Sequence, residues 1–250
     1  MMKLFFTAIA LLFSTNSLAL TPEEIIDKAG DVQRVDNGIQ QMHMILVSKN
    51  GSKRERQFEM RVRKDGDVVR SYVRFSHPSD VAGTQLVVVD NPDRVDEQLL
   101  YLPALKKTNR IAGKARSGSF MGSDFSFEDL EVSANNASKH TLVSEDETTW
   151  VVDSIPGGTS SYSRIRAHVT KSDYLPRKVE FFDKHGKPKK TLTITKTAND
   201  NGTVFPTHSI MKNLSRGTQT EMIVTEWKLN VPAEEIPEET FTVGYLERNG

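Results

Sequence analysis

Beyond Gly38 the chain alternates apolar and polar residues with a period of two, the spacing of strands that bury one face. MHMILVS (42–48) and RQFEMRVR (56–63) flank a turn centred on Asn50 and Gly51, and Phe58, Met60 and Val62 alternate with Glu59, Arg61 and Arg63. This predicts a hairpin with one apolar face. A turn at Asp65 and Gly66 leads into VVRSYVRFS (68–76), where Val69, Val73 and Phe75 share one face and Arg70, Tyr72 and Arg74 the other. Similar short segments follow: TQLVVVD, EQLLYLP, HTLVSE, TTWVVDSI, YSRIRAHVT, PRKVEFFD, KTLTITKT, VFPTHSIMK and QTEMIVTEWKL. Turn signals such as Lys184-His185-Gly186 and Asn199-Asp200-Asn201-Gly202 join several of them.

One helix precedes the strands. In TPEEIIDKAGDVQRV (21–35), Thr21 can cap, Pro22 suits the first helical position, and Glu24 stands three residues after the cap. Roughly a dozen short strands with a single strong helix signal mean a mainly β fold, built on a large antiparallel sheet that must curl. No shift in composition marks a second domain, and no fixed period marks a repeat.

The first 19 residues have a different pattern. MMKLFFTAIALLFSTNSLA opens with Lys3, continues through an apolar run from 4 to 13, and ends in small residues. It predicts a secretory leader cleaved after Ala19, because the apolar run falls short of the ~20 residues that span a bilayer. The expected product is one exported, periplasmic domain over 20–250, soluble and without a lipid anchor, since no Cys follows the leader.

Charge and composition narrow the chemistry. The chain carries 33 Lys and Arg against 33 Asp and Glu, and loss of Lys3 leaves the balance near neutral, which argues against a nucleic-acid partner. With 0 Cys there are no disulfides, thiolate nucleophiles or Cys-ligated metals. GKARSGS (113–119) has the glycine spacing of a phosphate loop, but Ser119 occupies the lysine position. No G-x-S-x-G elbow is present. His43, His77, His140, His168, His185 and His208 are scattered singly, without metal-binding spacing. Glu234, Glu235, Glu238 and Glu239 lie around Pro232 and Pro237, where a solvated turn entering a short helix at Pro237 is expected. The reading is therefore no enzyme, no metal and no cofactor.

Two segments stand apart. SFMGSDFSFEDL (119–130) sets Phe120, Met121, Phe125, Phe127 and Leu130 among serines, glycines and acids. With Met42, Met44, Phe58, Met60, Val62, Val73, Phe75, Leu100 and Leu102 on the strands, these residues give a curled sheet spare apolar surface on its concave face; that they line and lid an apolar cavity is what the resemblance to a known family, carried by the motifs quoted below, implies. Methionine adapts to ligands of variable shape. In that reading Gly118 and Gly122 allow sharp turns while Asp124 and Asp129 face water. The alternative is a static plug that completes an ordinary core. Just upstream, LKKTNRIAGKAR (105–116) carries Lys106, Lys107, Arg110, Lys114 and Arg116 without an acid, a candidate contact for anionic headgroups or a membrane surface. Pairing with Asp124, Glu128 and Asp129 is the alternative.

YLPALKKTNRIAGKARSGSFMGSDFSFEDL, YLPRKVEFFDKHGKPKKTL and FPTHSIMKN together resemble the bacterial outer membrane lipoprotein-sorting proteins, relatives of the periplasmic lipoprotein carrier with the LolA-like fold. The resemblance covers nearly the whole chain after the leader and is most specific around 119–130. It implies a half-open, strongly curled antiparallel β-barrel of about 11 strands, closed by an N-terminal helix and a helical or loop lid, whose cavity holds acyl chains. It also implies a monomeric shuttle for a lipid or lipoprotein, with transient membrane contact, an inner-membrane transporter of the resistance-nodulation-division (RND) type and an outer-membrane acceptor as partners. The carrier's arginine-proline pair on an early strand has no counterpart in RVRKDGDVV (61–69), so its closing role is not carried to Arg61 or Arg63. A glycolipid, hopanoid or other envelope lipid is then an implied cargo. The alternative function is a periplasmic lipid or lipoprotein sensor that binds a regulatory membrane protein.

Overall fold

A computed structural model describes residues 19–33, 35–91, 96–131, 137–158 and 160–250, with the side chains of 137–138 left aside. The predicted leader lies outside the described residues except for Ala19. Helix α1 (Pro22–Gln33) begins as its sequence dictates: the Glu24 amide donates to Thr21 Oγ1 at 3.2 Å, and the Thr21 amide donates back to Glu24 Oε2 at 2.7 Å.

Thirteen strands follow. They are β1 (Asn37–Val47), β2 (Lys53–Asp65), β3 (Val68–His77), β4 (Gln85–Asp90), β5 (Glu97–Leu102), β6 (Lys107–Arg110), β7 (Ala137–Glu145), β8 (Thr149–Pro156), β9 (Arg164–Thr170), β10 (Pro176–Phe182), β11 (Pro188–Asp200), β12 (Thr203–Asn213) and β13 (Thr218–Leu229). All pair antiparallel in one sheet of order 6-5-4-3-2-1-13-12-11-10-9-8-7. The chain starts at the centre with β1, meanders out to β6, crosses to β7 at the opposite edge, and meanders back until β13 pairs with β1. Among the described residues the sheet is not closed, and it has 13 strands rather than about 11. Among the strands the sequence left unread is β6, four polar residues at an edge, which carry no apolar alternation.

Register explains the interior. On β1 and β2, Gln40, Met42 and Met44 stand opposite Met60, Phe58 and Arg56, and on β13 Met222 and Val224 stand opposite Met44 and Met42. These inward side chains meet Phe181 of β10 and Met211 of β12 in one cluster, so the sheet curls around a shared interior. Phe58, Phe75, Phe120 and Phe127 form a chain of rings with successive centroids 5.0, 5.7 and 5.9 Å apart. α1 buries Ile25, Ile26 and Ala29 against Val152 of β8 and Val169 of β9.

The convex face is covered too. Ile236, Phe241 and Leu246 of the C-terminal segment, which ends in α2 (Val243–Arg248), pack on Tyr72, Val87 and Tyr101. A short helical turn does begin after Pro237, and all four nearby glutamates are exposed. Arg63 ties this segment down by donating to the carbonyl oxygen of Ile236 at 2.9 Å.

Candidate functional site

The connection from β6 to β7 must travel from one sheet edge to the other, and its described part, 111–131, runs through the interior. It forms a strap whose middle is a small hairpin: the Phe120 amide donates to the Phe125 carbonyl at 2.8 Å, and the Phe127 amide to the Gly118 carbonyl at 3.1 Å. Gly122 takes a left-handed φ of 75°, and a Cβ on Gly118 would fall 2.9 Å from the Ala115 carbonyl oxygen. Both positions therefore favour glycine, the first for backbone freedom and the second for close approach.

The acids of the strap do not face water. The Asp124 carboxylate is buried and accepts from Arg216 Nη2 at 2.7 Å, Thr218 Oγ1 at 2.5 Å and Thr220 Oγ1 at 3.0 Å. Asp129, whose side chain is 1% exposed, accepts from Lys190 Nζ at 2.7 Å, Tyr162 Oη at 2.7 Å and the Ser126 amide at 2.7 Å. Hydrogen bonds to a carboxylate are the strong kind, and here they fix the strap to β13 and β11. Burial, then the charge of Asp129, pushes the Tyr162 hydroxyl far above the usual tyrosine range, so it remains a donor.

On one side of the strap lies a cavity of about 360 Å³. Met42, Phe58, Met60, Val62, Val69, Val73, Leu86, Val88, Phe205, Met222, Val224 and Leu229 contribute to its wall, and Phe120 and Leu130 face it from the strap. Gln33, Gln40, Ser71, His208 and Ser209 are the polar residues around it. A volume within the ~300 to 1,000 Å³ of small-molecule sites, with so much hydrocarbon wall, suits an apolar guest.

On the other side, under α1, is a second cavity of about 300 Å³. Ile26, Ala29, Ile165, Ala167, Val179 and Phe181 share it with Arg116, Glu128, Asp129, Glu131 and Tyr162. Its charged groups already have partners: Arg116 pairs with Glu131, and Glu128 accepts from the hydroxyl and amide of Ser161. Burial raises the Glu131 carboxyl above its ordinary range against the pull of Arg116. Gln33, at the end of α1, touches both cavities.

Of the candidate residues, Met42, Phe58, Met60, Val62, Val73, Phe120 and Leu130 line the larger cavity. Met44, Phe75, Leu100, Phe125 and Phe127 are buried in the packed cluster, with Leu102 and Met121 half-buried against it. The wall residues on β4, β12 and the end of β13 were not singled out in the sequence. Their alternation was visible, but which neighbours would enclose a void depends on curl and strap placement. Lys106, Lys107, Arg110 and Lys114 are exposed beside Leu105, which is 64% exposed, whereas Arg116 turns inward to Glu131.

No curated protein matches the sequence. A family model described as "Uncharacterized protein" matches residues 67–248. A domain described as an outer membrane lipoprotein-sorting protein, from Vibrio parahaemolyticus, is 27% identical with a TM-score of 0.82, covering 91% of this chain and 100% of that one. A DUF1329 family protein from Desulfovibrio piger is 22% identical with a TM-score of 0.83, covering 90% of this chain and 97% of that one. A LolA superfamily protein from Nitrosomonas europaea is 18% identical with a TM-score of 0.73, covering 91% and 100%. The chain belongs to the family defined by the model over 67–248, and its fold is that of the outer membrane lipoprotein-sorting and LolA superfamily proteins.

Proposed function

We propose that this protein is a periplasmic carrier that holds the acyl chains of a lipid or lipoprotein in the larger cavity and moves them across the bacterial envelope. The observation that carries the reading is the hydrocarbon wall of that cavity, set in a fold shared with a lipoprotein-sorting domain. Each CH₂ withdrawn from water is worth about 0.8 kcal/mol, so a sixteen-carbon chain exposed to water costs roughly 12 kcal/mol. A lipid crossing an aqueous compartment therefore needs a dry container. Release without an energy source requires only that an acceptor offer a better site.

The exposed cations around Leu105 form the face that meets a membrane, each contributing about 1 kcal/mol near anionic headgroups. An inner-membrane transporter of the RND type and an outer-membrane acceptor are the partners in this reading. The strap serves as a fixed wall of the container, because its carboxylates are bound to two strands.

The test is mass spectrometry of an organic extract of the protein purified from periplasm without detergent, for the native chain and Ser71→Phe. Ser71 stands opposite Val62 and Val88 and lines the cavity, so the added ring occupies part of the void that a chain would take. Expected are a stoichiometric lipid on the native chain, about a tenfold loss of fluorescent fatty-acid uptake in the variant, and a stability change within about 1 kcal/mol. Undiminished uptake by Ser71→Phe, or no lipid and no uptake by the native chain, would overturn the carrier.

A further inference from the structure

The alternation that places Phe58, Met60 and Val62 on the inner face of β2 places Arg54 and Arg56 there as well, opposite Leu46 and Met44 of β1. Arginine is out of character on such a face. Arg56 is 7% exposed, and its Nε and Nη1 are buried without a hydrogen-bond partner. Buried guanidinium groups ordinarily hold a carboxylate or another oxyanion, because five fixed N–H donors and a full charge cannot be left unanswered.

The surroundings show where the missing acceptor belongs. A Cβ on Gly122 would lie 3.9 Å from Arg56 Nη2 and 4.0 Å from Arg54 Nη2, so both guanidinium groups reach the same turn of the strap. A pocket of about 160 Å³ opens at that turn, lined by Arg54, Gly122, Asp124, Arg216, Thr218 and Gln219 with Leu46, Val47 and Ser48, and Arg56 reaches it only through the Nη2 beside Gly122. The acid in its wall, Asp124, is already occupied by Arg216, Thr218 and Thr220. Asp80 acts on Arg56 from an exposed position, and neighbouring Arg54 opposes it in sign.

We propose that Arg56, with Arg54 and Arg216 around the Gly122 turn, forms a binding site for a phosphate-type oxyanion. The guanidinium fork matches two phosphate oxygens at once, and bare Gly122 leaves room for the group to approach the backbone. The next inward residue of β2, Phe58, belongs to the wall of the larger cavity, so the site stands about 7 Å along the strand from that wall. The phosphate could thus come from a lipid headgroup whose chain occupies the cavity or from free phosphate in solution.

Calorimetric titration with inorganic phosphate at constant ionic strength tests the site, with chloride as the reference anion. Saturable binding by the native chain is expected, weakened about tenfold in Arg56→Gln and measurably in Arg54→Gln, while Arg248→Gln, at an exposed position on α2 of the convex face, binds as the native chain does. Arg54 is exposed, so its variant keeps the test decisive if Arg56→Gln does not fold. No saturable binding, or equal binding by native, Arg54→Gln and Arg56→Gln chains, would overturn the proposal. A second titration with dihexanoyl phosphatidic acid assigns the source. Tighter binding than inorganic phosphate, lost in Arg56→Gln, makes it a lipid headgroup; equal affinity makes it free phosphate. Phosphate binding without fatty-acid uptake would leave this site standing and count against the carrier, so the two readings fail separately.

Discussion

The two cavities on either side of the strap have similar volumes, about 360 and 300 Å³, but the larger has an almost wholly apolar wall and the smaller a mixed one in which charged pairs stand among apolar side chains. The larger is enclosed by methionine, valine, leucine and phenylalanine from β1 to β4, β12 and β13. The smaller is lined in part by Arg116, Glu131 and Asp129, all held in ion pairs, Arg116 with Glu131 and Asp129 with Lys190. Charges paired in this way resist displacement, since breaking a buried pair exposes an uncompensated charge. An apolar wall has no such internal partner and gains from whatever hydrocarbon enters. The strap is thus a partition, with Phe120 and Leu130 toward one chamber and Asp129 and Glu131 toward the other.

The sharpest way to break this comparison is Asp129→Ala. It would leave Lys190, 6% exposed at its side chain, without its carboxylate and Tyr162 without its acceptor. A loss of about 3 to 5 kcal/mol in urea unfolding is expected. A loss below about 1 kcal/mol would mean that the paired wall is not a brace. On the other side, Phe120→Ala removes a ring that touches Phe75 and Phe127 and is expected to cost about 3 kcal/mol, the lower end for a buried phenylalanine because the site already borders a void. Urea unfolding that shows no loss, together with lost lipid retention, would favour a lid over a fixed wall.

Thr220→Val probes the anchor between the chambers. Thr220 Oγ1 both donates to the Asp124 carboxylate at 3.0 Å and accepts from the Asp124 amide at 2.9 Å. The isosteric change leaves that buried amide unpaired, and a loss of about 1 to 3 kcal/mol is expected by the same unfolding assay. A stability equal to that of the native chain would show that Arg216 and Thr218 alone hold the strap.

These contrasts were legible in the sequence only in part. Period-two alternation located twelve of the strands because a half-buried strand writes its two faces into consecutive residues. The capping box of α1 was equally local. The strap was visible as an anomaly, three phenylalanines among small and acidic residues, yet its acids were assigned to water. Asp124 finds its partners on β13 and in the turn before it, 92 to 96 positions away, and Asp129 finds Lys190 at a separation of 61. No local pattern announces such pairings. Arg56 was not singled out: only the register against Met44 and its burial reveal that it shares the inner face with Phe58, Met60 and Val62. Tyr72 was assigned with Arg70 and Arg74 to an outer face, which is right, but the C-terminal segment that covers it comes from far along the chain.

That covered outer face supplies the smallest expected effect and the control for the rest. Tyr72 Oη donates to Gln85 Oε1 at 2.8 Å, and Gln85 Nε2 donates to the carbonyl oxygen of Leu246 at 2.9 Å, a relay that fastens α2 to the sheet. Burial pushes the Tyr72 hydroxyl from 10.0 up to about 12. A raised pKa in the folded state means that the folded chain holds this proton more tightly than the unfolded one. Its stabilising contribution is therefore complete below pH 10 and is lost as pH rises through about 12. Tyr72→Phe is expected to cost about 1 kcal/mol at neutral pH, the worth of one hydrogen bond, and to flatten the fall in stability over that alkaline window. Urea unfolding between pH 8 and 11.5 measures both. Because the relay lies on the convex side, fatty-acid uptake should be unchanged in this variant. A variant that instead lost uptake would show that the outer layer and the apolar chamber form one unit, and the partition at the strap would no longer divide the molecule's functions.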